Sequence, residues 1–456
     1  MFKSVAQFFF DVDRQERTKT ILLALAFFFI IAGYTLVKEL NDSIFVHIVG
    51  REYNPWARIL SMICLVPAIL VFSKCVDLVR KHQLIYIYST IYGVGCLVFA
   101  LFLGNSEIGF LNAQPSPYRL FGWILYIFIE GYSPFMVSLF WSFANSITSP
   151  NAAKKNYTLI VAASKIGGMF SAALAILFIR ASYFGNDSLI ADTNNHQILL
   201  ASAGVFSLLV PLMIWLLVKL VPQRELHGYE AVYILEHKKQ YRKPGMISGL
   251  TALLKQPYLL GIFGLVFFWE VTNVVLQYQR IIIGAHTSNS ISQFTSFLME
   301  QVFLMHAMGL IIVLFGTRAF IALLGERRSL LLVPIVTGVL LMYCAIASTP
   351  TVMLLVYALL RSLNYAFTTP LRESLYIPTT SELRFKSKSW IDAFGAKIAK
   401  GFGAFYIIAA LFISESMIWL SHSLFFTAII GLWITTAHWL GRRYERALKD
   451  DEVIGS

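Results

Sequence analysis

The 456-residue sequence is poor in charge and in cysteine. Asp, Glu, Lys and Arg make up only 14% of it, against about 25% in soluble domains. That shortage excludes a large soluble fold with a hydrated surface. The four cysteines, Cys64, Cys75, Cys96 and Cys344, lie in or beside apolar runs and form no CxxC or Cys/His cluster. A disulfide framework and a structural zinc site are therefore not expected. No G-x-x-x-x-G-K-[ST] loop is present. The stretch "SKIGG" (Ser164 to Gly168) sits inside an apolar run and lacks the spacing, which speaks against ATP-driven pumping by this chain. HExxH and GxSxG are also missing, so no enzyme activity, cofactor or metal is expected.

What the chain does have is apolar length: 57% of its residues are hydrophobic. A helix needs about 20 apolar residues to cross a bilayer. About twelve such segments are present, centred near residues 20–37, 59–73, 84–103, 120–142, 158–180, 197–220, 258–279, 300–324, 329–348, 350–369, 389–413 and 416–440. The fold class expected is an all-α polytopic membrane protein. The N-terminal "MFKSVAQFFFDVDRQERTK" mixes acids with bases around a short apolar piece. It reads as an amphipathic lead-in on the membrane surface, not as a cleavable signal.

The net charge of +12 follows from topology. With a cytoplasmic N-terminus, 28 Lys and Arg fall on the inner side, 6 on the outer side and three (Lys165, Lys397, Lys400) within spans. This positive-inside bias places both termini in the cytoplasm of a multi-pass protein and removes nucleic acid as the partner implied by the charge. The partners expected are the lipid bilayer and a small anion, with a monomer as the unit.

Residues 221–257 form the longest polar stretch, a basic segment between the sixth and seventh spans. The layout expected is a cytoplasmic lead-in (1–19), a six-helix bundle (20–220), a cytoplasmic linker (221–257), a second six-helix bundle (258–441) and a tail (442–456). Two pseudo-symmetric bundles of this kind are the major-facilitator arrangement, with a substrate site near the membrane midplane. A weak repeat agrees with it. "SKIGGMFSAA" (Ser164 to Ala173) and "AKGFGAFYII" (Ala399 to Ile408) each set a small residue and a lysine before glycines, in the fifth and eleventh spans.

Ionisable residues within spans are expensive, at roughly 2.5–3.5 kcal/mol each near the bilayer centre, and so mark pathways by default. They are Glu130, Lys165, Glu270, Glu300, His306, Lys397 and Lys400, with Lys38, Glu39 and Asp42 clustered at the outer end of the first span. Lys400 lies one turn deeper than Lys397 on the same helical face. Lys397 either snorkels to the interface or joins Lys400. Gly401 and Gly403 leave room beside Lys400 for a ligand or for a packed helix. Lys165 either lines a cavity or pairs with Glu130 or another acid. Glu130, in "YIFIEGYSPFM", precedes Gly131 and Pro134, where a weakened helix can line a cavity. Lysines in a cavity point to an anionic substrate.

Several stretches resemble one family. "LFWSFANSIT" (Leu139 to Thr148), with Asn145, and "AKKNY" after it are similar to "LFWGFANQIT…EAKRFY" of the bacterial and plastid ATP/ADP translocase, or nucleotide transporter, family. "KSKSWIDAFGAKIAKGFG" resembles "KGKAAIDVV…LGKSGG", with Lys386, Lys388, Ile391, Asp392, Lys400 and Gly403 in matching positions. "RESLYIP" (Arg372 to Pro378) and "GYTLVKELND" (Gly33 to Asp42) also have counterparts there. The resemblance implies twelve spans and transport of nucleotides across the inner membrane of a bacterium, by exchange or import. The threefold Pro-x-Asp/Glu-x-x-Lys/Arg signature of the six-span mitochondrial carriers is absent.

Of four charged positions that the resemblance ties to transport, two carry over, to Lys400 and Glu130. The other two fall on neutral Asn41 and Gln277, with Lys38 and Glu270 nearby. The implied substrate residues are thus Lys400, Lys165, Glu130, Glu270, Lys38, Asp42, Lys397, Gly401, Gly403 and Asn145. The two neutral positions put strict ATP/ADP exchange in question and admit substrates of lower charge, with proton coupling through Glu130 or Glu270. Two other readings stay open: a transporter of a non-nucleotide organic anion, and a non-transporting scaffold on the same fold.

Overall fold

In hydrocarbon a backbone must satisfy its own amides, so an apolar chain of this kind folds as helices. The computed structural model describes residues 14–79, 81–148, 150–183, 189–222, 253–312, 317–347, 349–379, 391, 395–450 and 452–454. Most of the basic linker, the first thirteen residues and the segment holding Lys386, Lys388 and Asp392 lie outside them. Among the described residues the regular elements are helical, apart from an isolated bridge between Thr379 and Ile454.

The helices are α1 (Arg14–Ile48), α2 (Asn54–Leu78), α3 (Lys81–Leu103), α4 (Leu120–Glu130), α5 (Tyr132–Ile147), α6 (Pro150–Tyr183), α7 (Leu189–Leu220), α8 (Pro257–Thr287), α9 (Ile291–Ile311), α10 (Thr317–Ala347), α11 (Pro350–Leu363), α12 (Thr369–Ser374), α13 (Ala396–Ala410) and α14 (Glu415–Lys449). Helices α4 and α5 are two parts of one segment, as are α11 and α12, so the described residues hold twelve helical segments. Nine candidate spans among the described residues are long and apolar enough to cross a membrane. The α11–α12 segment and α13, which hold Arg361, Lys397 and Lys400, are shorter.

Local chemistry explains the breaks. Pro134 has no N–H to give the carbonyl of Glu130, and α4 ends at Glu130. The chain stays in the right-handed helical region at Gly131 and restarts at Tyr132. Between α11 and α12 the turns widen into a π-helix over Asn364–Thr368. Helix α1, at 35 residues, is about 52 Å long. It carries Lys38 and Asp42 in one continuous element with the first span.

The chain forms two compact units, Met1–Gln240 with Gly284–Leu310, and Tyr241–Ile283 with Ile311–Ser456. In the first unit α1 packs on α6 and α7, and α3 on α7. Lipid is as apolar as leucine, so close packing rather than burial from water joins such helices. Gly93 and Gly204 show this. A Cβ on either would come within 2.8–3.1 Å of the other's carbonyl oxygen. The aromatic core of this unit includes Phe27 stacked on Phe140 at 4.4 Å. In the second unit α10 packs on α14, around the buried Trp433, Leu440 and Tyr444.

Candidate functional site

The first unit holds a charged cluster on α1, α2 and α4. Lys38 Nζ meets Glu130 Oε1 at 2.5 Å, with side chains only 16% and 22% exposed. One turn along α1, Asp42 is fully buried and its negative charge attracts the Lys38 ammonium, whereas the positive charge of Arg58 of α2 opposes it. Arg58 is held by Asn54 Oδ1, 2.9 Å from its Nε. The Tyr126 ring lies 5.9 Å from the lysine ammonium. Glu130 thus pairs with Lys38, a partner that the sequence analysis did not assign to it. Asn41, at the neutral position of the resemblance, is buried, and its amide has no hydrogen-bond partner among the described residues.

Lys165 lies on α6. Its side chain runs beside Gly309, the ammonium 3.9 Å from where a Cβ on that glycine would sit. The glycines after it serve packing. A Cβ on Gly167 would come 2.4 Å from the Phe28 carbonyl oxygen, and one on Gly168 would come 2.2 Å from His306 Nε2. His306 also meets the Thr35 hydroxyl at 3.3 Å. Glu300 pairs with Arg180 at 2.9 Å. Asn145 is exposed and accepts a 2.6 Å hydrogen bond from the Tyr157 hydroxyl. A cavity of about 540 Å³ in this unit is lined by Arg51, Glu52, Asp192 and Asn289 among others, and includes none of the cluster.

The second unit holds a longer polar system. Glu270, Asn273, Gln277 and Arg280 recur at spacings of three, four and three along α8, which puts them on one helix face. Glu270 Oε2 lies 3.8 Å from Lys400 Nζ of α13. Asn273 donates to the same carboxylate oxygen at 3.4 Å. The Asn273 Oδ1 accepts from Gln277 at 3.4 Å and from Arg361 Nη1 of α11 at 3.1 Å. A continuous chain therefore runs Lys400–Glu270–Asn273–Arg361. It also links neutral Gln277 to Glu270. Arg280, only 1% exposed, stacks its guanidinium 4.4 Å over Tyr357. Lys397 is half-buried and Lys400 is exposed, as the one-turn offset allows. Gly401 is half-buried; the space beside Gly403 is taken by α8, at Val271 O and Val274.

Arg280 and Arg361 are two charged residues that the sequence analysis did not single out. Both lie within helices, Arg280 in α8 and Arg361 in α11. The signal that finds Arg280 in the sequence is its regular spacing from Glu270. Arg361 carries no such mark, because its hydrogen-bond partner Asn273 comes from another helix.

Nine described helices are long and apolar enough to cross a membrane, and the fold is that of the major-facilitator transporters. The D-xylose-proton symporter structure has that fold: it superposes with a TM-score of 0.67 at 14% identity, covering 93% of this chain and 96% of the symporter. The sequence is 23% identical to ADP,ATP carrier protein 3 of Rickettsia bellii (strain RML369-C), over 98% of this chain and 99% of that protein. It is 24% identical to ADP,ATP carrier protein 1 of Chlamydia pneumoniae, over 99% and 96%. The TLC ATP/ADP transporter family matches residues 1–108 and 118–444. The chain belongs to that family.

Proposed function

We propose that this protein carries a nucleotide or nucleotide-like anion across the inner membrane of a bacterium by alternating access, with both termini in the cytoplasm. The carrying observation is a lysine–carboxylate pair in each unit, Lys38–Glu130 and Lys400–Glu270. An unpaired charge at membrane depth is costly, so each lysine keeps a carboxylate while no substrate is bound. An arriving phosphate competes for the ammonium, and the released carboxylate then carries the change in charge. That release allows two modes, exchange against a second anion or uptake of a proton by Glu130 or Glu270. Of the two lysines, Lys400 is the better placed for first contact: its side chain is 45% exposed and its ion pair is the looser one.

The family membership and the ADP,ATP carrier names of the relatives support the nucleotide class. The inner-side excess of Lys and Arg supports the orientation. The proposed working parts are two six-helix bundles, residues 20–220 and 258–441, joined by the basic cytoplasmic segment, in a monomer.

Counterflow in liposomes tests this reading. Purified protein loaded with unlabelled ADP should accumulate labelled ATP or ADP, and Lys400→Ala should abolish accumulation. No accumulation of any nucleotide by the wild type, with uptake of another organic anion instead, would replace the nucleotide reading. No counterflow of any solute would favour the scaffold. Wild-type uptake by Lys400→Ala would remove Lys400 from the site.

A further inference from the structure

The cavity of about 540 Å³ in the first unit has neither Lys38 nor Glu130 in its lining. Its volume is that of a pocket for a small organic molecule. Its wall comes from the turn after α1, the start of α7 and the connection between α8 and α9, all within the first unit. In the proposed orientation these parts of the chain lie on the outer side of the membrane. Among the described residues its charged lining groups are Arg51, Glu52 and Asp192. One guanidinium stands with two carboxylates, which leaves one negative charge in excess. Such a lining repels a polyphosphate, so the cavity is not a second site for the nucleotide.

We infer that this cavity is a binding site for a dibasic amino acid, a small molecule with one carboxylate and two cationic groups. The inference does not rest on the nucleotide reading. Three observations carry it. The first is charge complementarity. The carboxylate of such a molecule matches Arg51, its two cations match Glu52 and Asp192, and the occupied cavity is neutral. The second is that the charged groups are held in place. Arg51 lies next to Glu52 in a single 3-10 turn, Arg51–Tyr53. Its Nη1 donates to His286 Nε2 at 2.8 Å; arginine has no acceptor, so that imidazole nitrogen accepts. This contact orients a planar fork suited to a carboxylate. Gly50 has a φ of 122°, a conformation open to glycine. The turn brings the Glu52 carboxylate over that glycine: a Cβ there would stand 2.8 Å from Glu52 Oε1. Asp192 is half-buried in the first turn of α7, where the helix dipole favours a negative charge. The third is the apolar part of the wall. Leu189 and Phe294 line the same cavity and offer a surface for the methylene stem of the amino acid.

The test reads binding by the full-length protein in detergent. Free lysine and free arginine should each raise the unfolding midpoint in a saturable way. Diaminopentane, which lacks the carboxylate, and Nε-acetyl-lysine, which lacks the second cation, should each bind about tenfold more weakly than lysine, through loss of one charged contact. Glu52→Gln and Asp192→Asn should each weaken lysine binding by about the same factor. Arg51→Gln should weaken lysine to the level of diaminopentane and leave diaminopentane unchanged. Should Asp192→Asn fail to fold, Glu52→Gln, at an exposed residue, supplies the carboxylate measurement. No saturable shift with either amino acid would overturn the inference. So would diaminopentane binding as tightly as lysine, or lysine affinity within twofold of wild type in either Arg51→Gln or Glu52→Gln. Binding is read without transport, so failure of nucleotide counterflow leaves this site standing, and failure of lysine and arginine to bind leaves the nucleotide reading standing.

Discussion

Lys38 and Glu130 meet at 2.5 Å with little exposure, and removing one partner strands the other in a poorly solvated place. Such a loss is worth about 3–5 kcal/mol, whereas replacing both charges by neutral groups is often tolerated. Lys38→Met should therefore lower the unfolding midpoint in detergent, and adding Glu130→Gln should recover much of the loss. A double variant no more stable than the single one would show that the pair is not the source of the effect. Arg119 is a second such residue. Its guanidinium donates to the carbonyls of Ile48, Ile108, Gly109, Asn112 and Gln114, tying the connection between α3 and α4 to the end of α1. Arg119→Ala leaves these acceptors without their donor. It should destabilise the protein by about 1–3 kcal/mol, seen as a lower midpoint and as faster proteolysis between residues 104 and 119.

Helix packing decides the next level. Gly167 and Gly168 follow Lys165 in the chain. The space beside them is filled by protein, with Phe28 backbone over Gly167 and the His306 ring over Gly168. These two contacts yield differently. A backbone carbonyl at 2.4 Å cannot move without shifting α1, while an imidazole can turn away. Gly167→Ala should therefore be the more damaging change, costing several kcal/mol or preventing folding. Gly168→Ala should be milder and should be relieved by His306→Ala. Unfolding midpoints of the four variants check this; relief of Gly167→Ala by the His306 change would contradict the assignment. On α8 the stripe from Glu270 to Arg280 was legible in the spacing once the helix was known to continue to Thr287. Its partners on α11 and α13 were not, because helix–helix contacts in lipid come from packing details that hydropathy does not record.

For the whole chain, the orientation drawn from Lys and Arg makes a further prediction. A reporter fused after Ser456 should be active only if cytoplasmic, and a cysteine placed between residues 105 and 118, in a variant lacking the four native cysteines, should react with an impermeant reagent from outside. Labelling only after lysis would reverse the topology. The number of spans and the helical class were readable from the sequence alone, because a backbone in hydrocarbon has few alternatives to the helix and apolar length measures the crossing. The family was readable too, since local motifs such as "LFWSFANSIT" survive divergence. Partner choice among the buried charges was settled only by the tertiary structure. Glu130 lies 92 residues from Lys38 and Arg361 lies 88 from Asn273, and no local pattern relates them. Which cation meets which carboxylate follows from helix rotation and close approach, which the packed fold fixes and the order of residues does not.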